Sequence, residues 1–224
     1  MTTRTSERRR RSRGIGTAEI LVGAFLSLMM LAVASSFFTG QQRMLLVQSA
    51  YAQSQNVTRT FTDLFAREIR MASYDPGGAA ISISGAGTCP GVSQGITEAA
   101  ADSVRFKQDL NGDGDTADAN EDVRYFLNGS QIMRQDGNAA AIVLVDGVPS
   151  GGLVFTYYNN QNPPGVINMS GSPAAVSPAN RDCIAKVKVR VTAQLASPQF
   201  YDIQPLISTV EIESAIRNRS LINF

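Results

Sequence analysis

Nineteen consecutive residues without a charge, Ile20 to Phe38, constrain this chain more than any other stretch. A helix of about 20 apolar residues is what a bilayer core requires. Six arginines precede the run (Arg4, Arg8, Arg9, Arg10, Arg11 and Arg13), and such a bias holds the N-terminal side in the cytoplasm. Gly14 closes the basic segment, and one carboxylate, Glu19, stands immediately before the hydrocarbon-length run.

Glu19 is costly at the edge of hydrocarbon unless it is paired. A cut after Gly14 would give Ile15 a free ammonium and make Glu19 the fifth residue of the remaining chain. Between two packed copies, the carboxylate of one could then meet the ammonium of the next. An ion pair in a low-dielectric setting depends strongly on geometry, so it can set the axial stagger of neighbouring helices.

These residues, Gly14, Ile15, Glu19 and the apolar Ile20-Leu21-Val22 that follow, resemble the processing and assembly motif of type IV prepilins and type II secretion pseudopilins. The stretch Phe65 to Tyr74 and the strand-like segments further on resemble PilW-type minor pilins most, and J-type pseudopilins next. The resemblance implies a pilin-like α+β fold, with a long N-terminal helix packed on an antiparallel β-sheet. It implies cleavage between Gly14 and Ile15 by a prepilin peptidase, N-methylation of Ile15, and an assembly charge pair between Glu19 and Ile15. The implied partners are other pilins or pseudopilins through the N-terminal helix, an inner-membrane assembly platform with its ATPase, and membrane lipid before assembly. The implied location is the bacterial inner membrane, single-pass with the N-terminus cytoplasmic, and then a cell-surface or periplasmic filament. The role is that of a structural subunit, not an enzyme.

Two other readings stay open at this point. Ile20 to Leu31 could be the h-region of a secretory signal with Ala32-Val33-Ala34 as its cleavage site, which would release a calcium-stabilised β domain. An uncut chain would be an anchored ectodomain with a binding or adhesive role.

The length of 224 residues suits one domain plus an anchor. The expected divisions are a basic leader (1–14), the membrane-spanning and filament-core part of the helix (15–38), its amphipathic continuation (39–74), and a β-rich extracytoplasmic domain (75–224). No proline occurs between Met1 and Tyr74. Met44, Val47 and Tyr51, then Phe61, Leu64, Phe65 and Met71 with Ile69 beside them, recur at helical spacing. A helix from Ile15 to about Ser73 would be roughly 85–90 Å long. Asp75-Pro76-Gly77-Gly78 ends it.

Without the leader, 14 basic and 18 acidic residues remain, a net charge of −4, so the mature chain as a whole has no nucleic-acid-binding balance. The sequence contains no histidine, which removes the commonest general base and transition-metal ligand. Cys89 and Cys183 are too far apart for a CxxC motif. Outside the cytoplasm they most simply form one disulfide, the alternative being two separate buried thiols.

Asp109-Leu110-Asn111-Gly112-Asp113-Gly114 opens like a calcium loop. Asp109, Asn111 and Asp113 would offer side-chain oxygens and Asp115 its carbonyl. Asp118, Glu121 or Asp122 would close the shell. An EF-hand would place glutamate at the twelfth position, which here is Asn120, and strand-like flanks replace the helices. The expected role of calcium is therefore structural, in a strand-to-strand loop, and the alternative is a solvated acidic turn.

Strands are expected at Ile81–Ser84, Asp102–Gln108, Val123–Leu127, Gln131–Arg134, Ala140–Val145, Leu153–Tyr158, Ala185–Ala193 and Ile207–Ile212. Asn128-Gly129-Ser130 should turn a hairpin. Val187, Val189 and Val191 alternating with Lys186, Lys188 and Arg190 mark the clearest half-buried strand. Asn159 to Asn180 should form a long polar loop.

Overall fold

The computed structural model describes residues 16–82, 89, 95–195 and 206–216. Its first element, α1, is a helix over Thr17–Met71. The chain divides into two compact units, residues 1–48 and 49–224.

In the first unit the described residues are helical from Thr17 onward, and the large apolar side chains between Ile20 and Leu46 are all exposed. The helix is long and apolar enough to cross a membrane. Its few hydroxyls do not spoil that surface. Ser27 donates to the Gly23 carbonyl, Ser35 to Ala32, Ser36 to Val33, and Thr39 to Ser35 and Ser36. Each donor is satisfied inside the helix, as a hydrocarbon environment demands.

In the second unit the same helix changes character. Thr58, Phe61, Thr62, Phe65, Ala66 and Ile69 are buried at three- and four-residue spacing. The two threonines are tolerated because their hydroxyls bond back to the Ser54 and Arg59 carbonyls at 2.8 and 2.9 Å. Met44, expected within the apolar stripe, is 61% exposed. Burial of the stripe begins only at Thr58, where β-structure is available to cover it.

The helix stops at Ser73, whose φ of 66° is left-handed and whose amide donates to the Lys107 carbonyl. Gly95 lies against that turn so closely that a Cβ there would sit 2.6 Å from Ser73 Cα. Asp75 then accepts the amides of Gly78 and Ile81 at 2.7 and 2.8 Å.

Among the described residues, eight strands form two antiparallel sheets. The first runs in sequence order through β1 (Ile96–Ala99), β2 (Ser103–Lys107), β3 (Asp122–Asn128), β4 (Gln131–Asp136) and β5 (Ile142–Asp146). The second holds β6 (Leu153–Tyr158), β7 (Lys186–Leu195) and β8 (Leu206–Ala215). A short α2 (Pro178–Arg181) precedes β7. The β3–β4 pairing of Asn128 with Gln131 leaves a two-residue turn, with Gly129 at φ 61° as primed hairpin turns require. β7 presents Val187, Val189 and Val191 to the core, and pairs with β8 in unbroken register from Lys186↔Ala215 to Leu195↔Leu206.

The fold is therefore α+β, a long N-terminal helix with antiparallel sheets, and the strands divide into two sheets where a single one was expected. β1, Ile96–Ala99, lies where no strand was expected. Ile81 and Ser82 lie in no strand, and Ile83 and Ser84 lie outside the described residues. Both sheets close on the helix. Phe65 meets Tyr125 of the first sheet and Phe155 of the second, each at 5.4 Å between ring centroids, in the geometries aromatic rings prefer. Cys89 and Cys183 are joined in a disulfide across a separation of 94 residues.

Candidate functional site

Gly14 and Ile15 lie outside the described residues. Glu19 is placed in the first turn of α1, exposed, with its carboxylate accepting the Gly16 amide at 3.2 Å. A negative group there satisfies one of the helix's unpaired N-terminal amides and suits its dipole.

The acidic loop folds around its own backbone. Asp109 is buried and accepts the amides of Gly112 and Gly114. Gly112 and Gly114 have φ of 76° and 90°, which bring those amides inward. Glu121, also buried, accepts the amides of Leu110, Asn111 and Asp118. Asn111, Asp113 and Asp118 come together at the surface, where the Asn111 side-chain nitrogen lies 2.9 Å from Asp113 Oδ2 and 2.7 Å from Asp118 Oδ2. The amides of Asp115 and Asn111 hold the Asp113 carboxyl below its ordinary pKa. Asp115 turns to the Ala117 amide. Asp122 is not in this group, because it forms a two-pronged pair with Arg105 at 2.6 and 2.8 Å.

The donor chemistry, carboxylate and amide oxygens, suits a hard cation. The arrangement does not present it: among the described residues no three acidic side chains form a group able to hold a metal. The Asn111 amide hydrogens bridge the two exposed carboxylates instead.

A second polar centre was not legible from spacing. Glu68 of α1 accepts the Tyr125 hydroxyl of β3 at 2.5 Å and is bonded by Arg134 of β4 at 3.2 Å. Arg134 also donates to Asn120 Oδ1 at 2.8 Å, and the Asn120 amide reaches the Asp136 carboxylate. Burial and then the adjoining Glu68 charge push the Tyr125 hydroxyl far above its usual range, so it stays a donor. Burial alone would lower Arg134, but the bond and charge of Glu68 outweigh it and raise the guanidinium. This network fixes the helix to the first sheet. Ser214 of β8 does the same for the second sheet, donating to the Ala66 carbonyl at 3.1 Å while accepting from Arg70 at 3.2 Å.

On the outer face of the first sheet, Glu98 holds Arg124 at 2.9 and 3.0 Å and accepts the Ser103 hydroxyl. Arg124 in turn lies 4.7 Å above the Phe126 ring.

No protein-family model matches the chain, and no curated protein sequence is similar to it. One solved structure, a type IV-like pilin from Thermus thermophilus, aligns with 73% of this chain and 97% of its own length. It shares 11% identity, with a TM-score of 0.38. At that score the fold described above stands on this chain's own helix and sheets.

Proposed function

We propose that this chain is a minor pilin-like or pseudopilin-like structural subunit that assembles into, or initiates, a type IV pilus or a type II secretion pseudopilus. The observation that supports the reading is the division of labour along α1. Its residues 20–46 expose every large apolar side chain, while residues 58–69 supply buried core to a β domain. An exposed apolar face of that size needs a second apolar phase. Lipid provides it before assembly and neighbouring helices provide it afterwards. A cleaved secretory signal would have no reason to continue without a break into the domain core.

Under this proposal a prepilin peptidase cuts after Gly14 on the cytoplasmic face of the bacterial inner membrane, and Ile15 is N-methylated. An assembly platform extracts the subunit, and Glu19 neutralises the Ile15 ammonium of a neighbour. The Gly16 amide that Glu19 accepts is a weak neutral partner, which an ammonium would displace. The large β domain favours a minor, PilW-type position over the abundant shaft subunit. Calcium is a further part of the proposal. The Asn111 oxygen is held by the Asp113 amide at 3.0 Å, so a cation would enter by displacing the Asn111 nitrogen, and it would then bridge the Asp113 and Asp118 carboxylates that the amide bridges now.

The test is the mature N-terminus, read by intact mass and terminal sequencing of membrane-derived protein, together with Glu19→Ala. A start at Ile15 carrying one added methyl, and a variant that inserts in the membrane but fails to enter filaments, are expected. A start at Ser35 or an uncut Met1 overturns the reading, and normal assembly of Glu19→Ala overturns the charge pair.

A further inference from the structure

The exposed apolar surface of the first unit is longer than a bilayer core is deep. Ile20 to Leu46 spans about 40 Å of helix, whereas a hydrocarbon core is about 30 Å thick. The charge-free run from Ile20 to Phe38 fills that core by itself, at about 28 Å. Gly40, Gln41, Gln42 and Arg43 then form a polar break. Beyond it, Met44, Leu45 and Leu46 are 61%, 63% and 64% exposed. Successive helical residues stand about 100° apart, so these three make an apolar belt around most of the helix. The belt begins about 9 Å past Phe38, outside a headgroup layer about 5–8 Å deep. No adjustment of a single helix covers it cheaply. Sliding outward moves the uncovered length to the cytoplasmic side. Tilting by about 40° would fit the whole length into the core, but it draws Gln41, Gln42 and Arg43 into hydrocarbon.

We infer that the membrane-stage subunit is a parallel pair of copies, joined along the first unit of α1 with the belt of one against the belt of the other. The pair rests on the membrane stage of the function proposed above and adds a partner to it. A second copy fits because it carries the same belt at the same height above the membrane. Lipid does not reach that height, and a polar partner would leave the belt's apolar surface uncovered. Leu45 also selects the face that meets. It shares one side of the helix with Gly23 and Ala34, at eleven-residue intervals that return to within about 20°. Gly23 and Ala34 let two backbones approach closely. Ser27, four residues after Gly23, turns its hydroxyl back to the Gly23 carbonyl at 2.8 Å. Arg43 lies about 200° around the helix from Leu45 and stays outside the contact.

The test is disulfide cross-linking of the full chain in its own membranes. Cys89 and Cys183 are joined to each other, so one added cysteine is the one free thiol. Ala34→Cys and Leu45→Cys should each give a linked dimer on a non-reducing gel. Ala32→Cys sits at the same depth as Ala34 but about 200° around the helix, and should give about a tenth as much. Adding Leu45→Gln to Ala34→Cys should weaken association about tenfold, the effect of half a leucine's burial. Reconstitution into lipids with a core about 10 Å thicker covers the belt and should also lower the dimer. No link at 34 or 45, equal links at 32, 34 and 45, a dimer indifferent to Leu45→Gln, or one indifferent to bilayer thickness would each overturn the inference. The mature N-terminus of the same sample separates the two readings. An Ile15 start without links sinks the pair alone, and linked copies of an uncut chain sink the filament reading alone.

Discussion

Replacing Glu68 alone should damage this protein more than replacing the whole polar centre it belongs to. The Glu68 and Arg134 side chains are 17% and 10% exposed, and the Tyr125 ring is fully buried. Glu68→Met strips the Arg134 guanidinium of its carboxylate and leaves the Tyr125 hydroxyl without its acceptor. Breaking a buried ion pair costs about 3–5 kcal/mol. Here Arg134 keeps Asn120 at 2.8 Å, which brings the cost to or just below the low end of that range, about 2–3 kcal/mol. The orphaned hydroxyl adds about 1 kcal/mol. For a unit of this size, a loss of about 3–4 kcal/mol lowers Tm by about 10 °C. The triple variant Glu68→Met, Tyr125→Phe, Arg134→Met removes charge and donor together, and a well-packed apolar substitute is near neutral. It should stay within about 1 kcal/mol of the parent, some 2–4 °C. Thermal unfolding of the full chain in micelles, followed by circular dichroism, reads all three single variants and the triple. A triple variant that falls by the sum of the singles, or a Glu68→Met shift below about 2 °C, would refute the reasoning.

Acid should act partly through Glu98. Burial pulls its pKa up, but the bond and charge of Arg124 and the Ser103 hydroxyl bring it below the ordinary 4.5. A folded pKa below the unfolded one means stability that is whole above 4.5 and drains away as pH falls through the lower value. Glu98→Gln should therefore flatten the Tm-versus-pH curve below about pH 4.5, and an unchanged slope would exclude that role. For the acidic loop, adding calcium to chelator-treated protein at a hundred times its Kd should add about 2.7 kcal/mol, or 5–10 °C in Tm. A melting curve indifferent to both calcium and chelator would retire the cation.

What could be read from the chain was local. The alternation of Val187, Val189 and Val191, the Gly129-Ser130 turn and the charge-free run from Ile20 to Phe38 each carry their meaning within one contiguous stretch of sequence. β1 was missed because Ile96-Thr97-Glu98-Ala99 is short and ordinary, and its place is made by Gly95 lying against Ser73, more than twenty residues earlier. The division into two sheets was equally hidden. It occurs at 147–152, where Gly147 and Gly152 run against the Gln194 and Thr192 carbonyls so tightly that a Cβ on either would come within 2.8 Å. The acidic loop was visible as composition but not as geometry, since nothing local says that Asp122 turns to Arg105 while Asp109 and Glu121 turn inward. Glu68, Tyr125 and Arg134 bear no spacing signal, because only the packed helix and sheet bring them together.

The aromatic cluster on α1 also sets a timetable for biosynthesis. Phe61 and Phe65 are translated long before the side chains that bury them: Tyr125 comes roughly 60 residues after Phe65 and Phe155 roughly 90. At about 5–20 residues per second the nascent helix waits about 5–18 s for its second sheet. The first sheet, built from neighbouring hairpins, can close as it emerges, whereas the Cys89–Cys183 link must wait for Cys183, between α2 and β7, a separation of 94 residues. During that interval the helix is an adhesive surface that its own chain cannot yet cover.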